Sequence, residues 1–290
     1  MSNKILLPFK NEIKYILDLL TKGNNQYNEF VENFHMIDNA HLFPSQSFNF
    51  WKVSLKCHKF FERIKDKRKI CIALLDRCDD LINIEEILVF LTFFYPKLGI
   101  TLIQIKSFFQ QEQCKTRMVQ DKLQYEAQSL CLLLKKYIPK DCLFIIGLTE
   151  TELYYQDSKF VLGQSFFNLM SSVICLGKKI DASPDNRLML TERVMKCVSH
   201  ETAHLFGLQH CRLFECLMNE SKSIIEATRQ PFGLCPLCLT KLQYLMCFNV
   251  FLRYESLLCY VNNYLDEVSQ SSYIYSYRDF LLSVLNSKFL

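Results

Sequence analysis

The stretch from residue 200 to residue 238 constrains this chain more than any other, because it gathers metal-binding side chains at two recognisable spacings. Histidines stand at positions 200, 204 and 210, and cysteines stand at positions 211, 216, 235 and 238. The 290-residue sequence holds only six histidines, so half of them fall in this one stretch. The pattern predicts two separate metal sites, and the fold has to bring each set of side chains together.

The histidine spacing predicts a catalytic metal site that begins on a helix. Residues four apart on an α-helix lie about 40° apart around its axis, so His200 and His204 can share one metal ion. Glu201 lies farther around the same helix, where its carboxylate can serve as general base for a metal-activated water. Gly207 can adopt a positive φ angle at little steric cost, which ends the helix and lets His210 return as a third ligand.

Zinc chemistry follows from this ligand set. Three neutral imidazoles leave the fourth tetrahedral position open for water, and zinc lowers the pKa of such a water to about 7. The apolar residues Val194, Val198 and Leu205 repeat at helical spacing and predict an active-site helix over residues 191–209, with Thr191 as its cap. The sequence therefore predicts hydrolysis of amide bonds.

The four cysteines predict a second, structural zinc site. Cys235 and Cys238 form a CPxC knuckle, and Cys211 and Cys216 complete the ligand number of a closed tetrathiolate site. A pair of disulfides, or four buried thiols, would also account for the spacing. Fourteen cysteines in a sequence without a recognisable signal peptide favour a reducing compartment, in which disulfides are rare.

The complete motif resembles the archaemetzincin family of metzincin-clan zinc metallopeptidases, in its eukaryotic branch. The matching pattern is HExxHxxGxxHC followed by Cys216-Leu217-Met218 and the CPxC knuckle. Further similarity lies in Glu152–Tyr155, Phe160–Ser165 and Arg229–Leu239. The resemblance is clear from about residue 142 to about residue 260.

The resemblance implies a role for each matching position. His200, His204 and His210 would bind the catalytic zinc, Glu201 would act in catalysis, and the cysteines at 211, 216, 235 and 238 would bind the second zinc. Met218 would form the Met-turn, an apolar floor beneath the catalytic metal, although a methionine at this spacing is by itself more typical of core filling. Two zinc ions per chain are therefore expected.

The order of predicted elements indicates a mixed α/β (α+β) fold. Strands are predicted at Ile70–Leu75, Ile100–Ile105, Leu143–Ile146 and Val173–Leu176, and helices at Glu12–Leu20, Ile84–Phe94, Met118–Tyr137 and in the segment Leu239–Tyr264. The resemblance adds a metzincin-like mixed β-sheet, an active-site helix and a helical C-terminal subdomain that carries the second zinc. We place the strand Ser171–Leu176 at the edge of the substrate cleft, where an extended peptide could add to the sheet.

Three regions are predicted along the chain. Residues 1–68 form a mainly helical N-terminal region. Residues 69–260 form a metzincin-like zinc peptidase domain, with the active-site helix at 191–209 and the zinc knuckle at 211–238. Residues 261–290 form a C-terminal helical tail.

Net charge and hydropathy indicate which binding partners and which cellular location to expect. A net charge of +4 with similar numbers of both signs is too small a bias to indicate a nucleic-acid partner. No apolar run reaches membrane-spanning length without a polar break, so no membrane partner is expected. We expect an intracellular monomer, cytoplasmic or nuclear and not secreted, that acts on a peptide or protein substrate.

The alternative to an enzyme is a noncatalytic, zinc-stabilised module that binds peptides or other partners. The presence of Glu201 favours the enzyme, because metal binding does not require that carboxylate.

Overall fold

The chain folds into two compact units. The computed structural model describes residue Ile37 and residues 45–58, 60–110, 114–177, 184–268 and 273–286, so the predicted helix Glu12–Leu20 lies outside the described residues. The sheet unit comprises Lys59–Gly207 and Ser221–Arg229, and the knuckle unit comprises Met1–His58, Leu208–Glu220 and Gln230–Leu290. Each unit is assembled from separate stretches of the chain, whereas the division predicted at residues 68 and 260 used consecutive stretches.

A five-stranded sheet forms the centre of the sheet unit, and its strand order is β2-β1-β5-β8-β7. The strands are β1 (Lys69–Leu74), β2 (Gly99–Gln104), β5 (Cys142–Thr149), β7 (Gly163–Phe166) and β8 (Ser171–Cys175). All neighbouring pairs are parallel except β7 with β8, which is antiparallel. The central strands β1 and β5 are almost entirely buried, which is why they are continuous apolar runs in the sequence. The predicted mixed α/β architecture is confirmed.

The strand at the sheet edge is not the one that the sequence indicated. The predicted edge strand, Ser171–Leu176, corresponds to β8, which pairs with β5 on one side and β7 on the other. Every residue of β8 is buried, as an interior position requires. The prediction was wrong, and among the described strands it is β7, with four half-buried residues, that lies at this edge.

A second, three-stranded sheet replaces half of a predicted helix. The strands β3 (Thr116–Val119), β4 (Lys122–Glu126) and β6 (Glu152–Tyr154) pair in the order β3-β4-β6. Gln120 and Asp121 have φ angles of 49° and 60°, the conformation of a two-residue turn that joins β3 to β4 as a hairpin. The predicted helix Met118–Tyr137 is therefore wrong in its first half.

The described part of the sheet unit also contains five α-helices and three short 3₁₀-helices, the latter at Cys78–Asp80, Phe108–Gln110 and Lys135–Tyr137. The α-helices are α2 (Phe60–Asp66), α3 (Ile84–Phe94), α4 (Ala127–Leu134), α5 (Pro184–Leu205) and α6 (Ile224–Arg229). The bounds predicted for α3 are confirmed, because the Asn83 side chain caps its first turn by accepting a hydrogen bond from the Glu86 N–H.

The helix α5 carries the histidine motif, and both of its ends differ from the prediction of residues 191–209. It begins earlier because Thr191 does not cap it: the Thr191 hydroxyl donates to the Arg187 carbonyl within the helix and accepts from the Asn83 N–H. It ends at Leu205, and Gly207 then adopts a φ of 81°, the conformation that stops a helix.

The knuckle unit contains four α-helices in its described part. Its helices are α1 (Phe48–Cys57), α7 (Pro236–Met246), α8 (Val250–Glu267) and α9 (Ile274–Asn286). The buried Trp51 and Phe48 of α1 pack against Tyr244 of α7, with ring centroids 6.3 and 5.4 Å away. The position chosen for the start of the C-terminal tail, residue 261, falls inside α8. None of the helices in the described ranges has the length and apolar character that crossing a bilayer requires.

Candidate functional site

The three histidines of the motif converge. One ring nitrogen from each of His200, His204 and His210 lies within 4.8 Å of the other two. The Nε2 atoms of His200 and His204 are 2.9 Å apart, so the two rings point at a common place. Their rings are nearly perpendicular, at 82°, as two ligands of one ion on successive helical turns can be.

The helix and the turn that follows it position this cluster. His200 and His204 lie in the last two turns of α5, whose buried Val194, Val198 and Leu205 fix its rotation against the rest of the sheet unit. His210 follows Gly207 in a stretch without regular secondary structure. His200 is 9% exposed, while His204 and His210 are half-buried, so the cluster is open to solvent on the side of the second and third rings.

Glu201 is buried beside the histidines and hydrogen-bonded to the sheet. Its Oε2 lies 2.6 Å from the Ser165 hydroxyl on β7 and 3.5 Å from the Ser172 hydroxyl on β8. Burial raises the pKa of Glu201 to about 7, and the two hydroxyls oppose part of that rise because they stabilise the ionised form. A carboxyl with a pKa near neutrality can both accept and release a proton under physiological conditions.

Gly163 leaves the space that the Glu201 carboxylate occupies. A Cβ atom at position 163 would lie 2.5 Å from Oε1 and 2.9 Å from Cδ of Glu201. Any side chain at this end of β7 would therefore displace the carboxylate. Strand β7 thus sets the position of Glu201 twice, through a hydroxyl at 165 and through the absence of a side chain at 163.

The four cysteines also converge, and they are more deeply enclosed. One sulfur from each of Cys211, Cys216, Cys235 and Cys238 lies within 4.8 Å of the others, and all four residues are buried. The sulfurs of Cys211 and Cys235 are 3.8 Å apart, and all four cysteines are free of disulfides. The alternative of paired disulfides does not describe this arrangement.

Backbone amides and one asparagine organise the cysteine cluster. The N–H groups of Met218 and Cys235 point at the Cys216 sulfur, 3.4 and 3.2 Å away. The Asn219 side chain accepts from the Cys216 N–H at 2.8 Å and donates to the Cys211 carbonyl at 2.8 Å. Hydrogen bonds from the neighbouring thiols, led by Cys216, lower the pKa of Cys211, whereas burial raises the pKa of Cys235. Without a cation the cluster thus favours one thiolate beside protonated thiols, and four thiolates at such close range need a bound cation to neutralise them.

Both donor sets fit zinc. Two sulfurs bound to one tetrahedral zinc at 2.3 Å would be about 3.8 Å apart, which matches the separation of Cys211 and Cys235. Two nitrogens bound at 2.0–2.1 Å would be about 3.3 Å apart, 0.4 Å more than the present His200–His204 separation of 2.9 Å. The sulfur set supplies four ligands and the nitrogen set three, as closed and open zinc sites do.

Met218 lies in the turn between the two pairs of cysteines. Its side chain is fully buried, and its carbonyl accepts a hydrogen bond from the Cys211 N–H at 2.7 Å. This bond ties the turn to the residue that follows His210.

Sequence reasoning missed the residues that support these clusters. Ser165, Ser172 and Gly163 surround Glu201, and Asn219 spans the cysteine loop, but none of them stands at a ligand spacing. The segment Phe160–Ser165 belonged to the recognised similarity, so it was the available signal for the role of β7. The other contacts join residues distant in the chain and leave no local pattern.

Known proteins of one peptidase family are similar to this chain. Residues 101–244, about half of the chain, match the model of peptidase family M54. Human archaemetzincin-2 is 33% identical over 170 residues, which cover 49% of this chain and 47% of that protein. Human archaemetzincin-1 is 32% identical over 171 residues, covering 47% of this chain and 34% of that protein. The chain thus spans about half the length, or less, of these curated relatives.

Structural similarity covers a larger part of the chain. The crystal structure of archaemetzincin from Methanopyrus kandleri aligns with a TM-score of 0.50 at 25% sequence identity. The alignment covers 63% of this chain and 97% of that one. The matched segment 101–244 contains both clusters and Glu201. On these grounds the chain belongs to the archaemetzincins, peptidase family M54.

Proposed function

We propose that this protein is a zinc-dependent peptidase whose reaction takes place at the histidine cluster. The observation that carries the proposal is the convergence of His200, His204 and His210 within 4.8 Å next to a buried carboxyl group, Glu201. Three ligands hold a metal and leave it accessible, and the carboxyl group supplies acid–base chemistry. Membership of a peptidase family supports the same conclusion.

The three histidines would hold the catalytic zinc. When bound there, zinc supplies Lewis acidity, which polarises the scissile carbonyl and makes water a stronger nucleophile near neutral pH. The half-buried His204 and His210 lie on the side from which a substrate can approach.

Glu201 would act as the general base and then as the general acid. It accepts the proton of the attacking water and afterwards donates that proton to the amine that leaves. Its burial and the Ser165 hydroxyl hold the carboxylate in one orientation, so little reorganisation is needed when the proton moves.

The four cysteines would hold a second zinc whose role is structural. Four buried sulfurs complete a tetrahedral shell and leave no position for water or substrate. Met218, buried in the turn that hydrogen-bonds to Cys211, would serve as the Met-turn. Two zinc ions per chain follow from these assignments.

A peptide substrate would bind along β7. This strand pairs with β8 along one side, and among the described strands none pairs with its other side. An extended peptide can add to such an edge through main-chain hydrogen bonds, and the Ser165–Glu201 contact links this strand to the reacting centre. An intracellular location, a monomeric state and the lack of nucleic-acid or membrane partners stay predictions.

The test compares the wild-type protein with Glu201→Gln at matched zinc content, in a diverse peptide mixture analysed by mass spectrometry. The peptidase proposal predicts new cleavage products with the wild type, and at least about 10²-fold less product with the variant. Glu255→Gln, an exposed change on α8, serves as the control and should cleave like the wild type. Equal product from the wild type and Glu201→Gln would remove Glu201 from the mechanism. Peptide binding by the wild type without any cleavage would support the noncatalytic module instead.

A further inference from the structure

The loop that carries His210 is held by residues far away in the sequence. Residues 208–213 form no regular secondary structure, so their backbone groups need partners elsewhere. The N–H of Gln209, immediately before His210, donates to the Gln46 side-chain oxygen at 3.2 Å. Two residues after His210, the N–H of Arg212 donates to the Ser45 hydroxyl at 2.9 Å. The third histidine is thus bracketed by two consecutive residues of the N-terminal region.

Gln46 also accepts hydrogen bonds from a buried ammonium group, that of Lys241. The Lys241 ammonium donates to the Gln46 backbone carbonyl at 2.6 Å and to the Gln46 side-chain oxygen Oε1 at 3.1 Å. Lys241 is only 2% exposed. An ammonium group has no acceptor, so this contact fixes Oε1, and not the amide nitrogen, toward Lys241 and Gln209. Burying a charge without hydrogen bonds costs folding free energy. The Lys241 ammonium therefore favours the conformation of Gln46 that keeps both hydrogen bonds.

Lys241 connects this contact to the cysteine knuckle. It lies on α7, three residues after Cys238 and therefore on the next turn of the same helix. Hydrogen bonds run from Lys241 to Gln46 and on to Gln209, the residue before His210. The helix that begins at the knuckle is thereby linked to the histidine loop by a route that does not follow the chain.

Buried side chains and hydrogen bonds anchor residues 45–58, so this segment can support the loop that carries His210. Trp51 and Phe48 are buried on α1, and both contact the Tyr244 ring of α7. The Ser47 hydroxyl caps α1 by accepting from the Phe50 N–H at 3.1 Å. Residue Ile37 adds a further backbone bond to the Leu213 carbonyl at 3.0 Å.

We propose that Gln46, supported by Ser45 and Lys241, is a positioning residue for the third metal ligand, His210. The inference rests on the proposed function, because it assumes that His210 binds a metal. It assigns a role to residues 45–58, which lie outside the family match at 101–244. Without the Gln46 acceptor, the Gln209 N–H loses its partner and the loop samples more conformations. Part of the free energy of metal binding is then spent on ordering the loop, so the metal binds more weakly.

The test is a Co²⁺ titration of the full-length metal-free protein. Thiolate ligands give Co²⁺ a charge-transfer absorption that imidazole ligands do not give, so the two sites are followed separately. In Gln46→Leu, the dissociation constant of the histidine site should rise about 10-fold, as happens when groups that orient metal ligands are removed. The affinity measured by the thiolate band should stay within about twofold of the wild type.

Three further variants separate positioning from general stability. Gln46→Glu keeps a side-chain oxygen as the acceptor, so the Co²⁺ affinity of the histidine site should equal that of the wild type. Ser47→Ala weakens the start of α1 and should lower Tm by about 2 to 4 °C, yet leave that affinity unchanged. The double variant Gln46→Met with Lys241→Met removes the buried charge together with its side-chain acceptor, so it leaves no buried ammonium short of a partner and should still bind Co²⁺ weakly at the histidines.

The outcomes distinguish this inference from the proposed function. A wild-type protein that binds Co²⁺ only with the thiolate band would contradict the histidine metal site itself. Two sites in the wild type, with equal histidine-site affinity in Gln46→Leu, would overturn the positioning role and leave the peptidase proposal intact. A parallel loss of affinity at both sites, or the same loss in Ser47→Ala, would show that the segment acts only on stability.

Discussion

The histidine and cysteine clusters differ in ways that match two kinds of zinc chemistry. The cysteine cluster has four ligand residues, all buried, whereas the histidine cluster has three, of which His204 and His210 are half-buried. Four enclosed ligands leave no room for a substrate, and three leave one coordination position free. The lesson is that ligand number and burial together distinguish a cluster suited to stabilise the fold from a cluster suited to catalysis.

The surroundings of the two clusters differ in the same sense. Backbone N–H groups and the Asn219 amide support the cysteine sulfurs and their loop, and these groups do not ionise near neutral pH. The histidines instead adjoin Glu201, whose pKa burial raises to about 7. Apart from the candidate ligands themselves, the group beside the histidines titrates near neutrality, whereas these donors beside the cysteines do not.

The largest effect should come from breaking the cysteine cluster. Cys235→Ser removes one of four ligands, and a closed zinc site can contribute on the order of 10 kcal/mol to folding stability. We expect loss of one zinc, measured by mass spectrometry of metals, and a fall in Tm of about 10 °C or more in a circular-dichroism melt. The control is Cys259→Ser, an exposed cysteine on α8, which should keep both the zinc and the Tm. An unchanged Tm for Cys235→Ser would contradict the structural role.

A smaller effect on stability should follow from breaking the histidine cluster. His210→Ala removes a half-buried ligand from a loop, so we expect loss of one zinc and of peptidase activity, with less than half of the fall in Tm seen for Cys235→Ser. The exposed His58, at the end of α1, provides the control variant His58→Ala. If His210→Ala unfolds the protein as strongly as Cys235→Ser, the division into a reactive and a stabilising site is wrong.

Gly163→Ala tests the space reserved for Glu201. The new Cβ would meet Oε1 at 2.5 Å, and the side chain of Glu201 can move away, so the cost should appear in activity more than in Tm. We expect kcat to fall by about 10- to 100-fold, since a small misplacement of a catalytic group has effects of this size. In the matched variant Gly99→Ala, the Cβ meets the Lys69 side chain at 2.9 Å, remote from Glu201, and kcat should not change. Equal activity of both variants would mean that the carboxylate position does not matter.

Ser165→Ala should have the smallest effect of the series. It removes the 2.6 Å hydrogen bond to Glu201 and leaves the Ser172 hydroxyl at 3.5 Å, so the carboxylate keeps a weaker partner. One hydrogen bond to a charged group is worth about 1.5–3 kcal/mol, and partial replacement should reduce the loss in kcat to about 10-fold. Steady-state kinetics should show this with KM nearly constant. Ser165→Thr, which keeps the hydroxyl, should recover most of the rate, and failure to do so would point to an effect of strand packing.

The sequence predicted the elements whose pattern is local. The strands β1, β2 and β5 were predicted from short runs rich in branched apolar residues, and the helix α3 was predicted from the local pattern of the sequence between two of them. The hairpin of β3 and β4 was taken for a helix, since its turn uses Gln120 and Asp121 in place of glycine or asparagine. Strand β8 was placed at the edge because sequence does not reveal which neighbours a strand acquires.

The candidate site divides in the same way. The spacing of the histidines and cysteines follows from helix geometry and knuckle geometry, and it could be read without a structure. The contacts of Ser165 with Glu201 and of Gln46 with Gln209 span 36 and 163 residues, so only the tertiary fold brings them together. Local spacing therefore predicted the candidate metal ligands, whereas the supporting residues follow no local pattern, and the similarity at Phe160–Ser165 was the available signal for β7.

The most direct test of the difference between the two clusters is anomalous diffraction at the zinc absorption edge from crystals of the wild-type protein. The account predicts two peaks per chain, one surrounded by the sulfurs of Cys211, Cys216, Cys235 and Cys238, and one bound by three histidine nitrogens with a non-protein fourth ligand. A single peak at the cysteines, or a histidine site closed by a fourth protein side chain, would contradict the assignment of one stabilising and one reactive zinc.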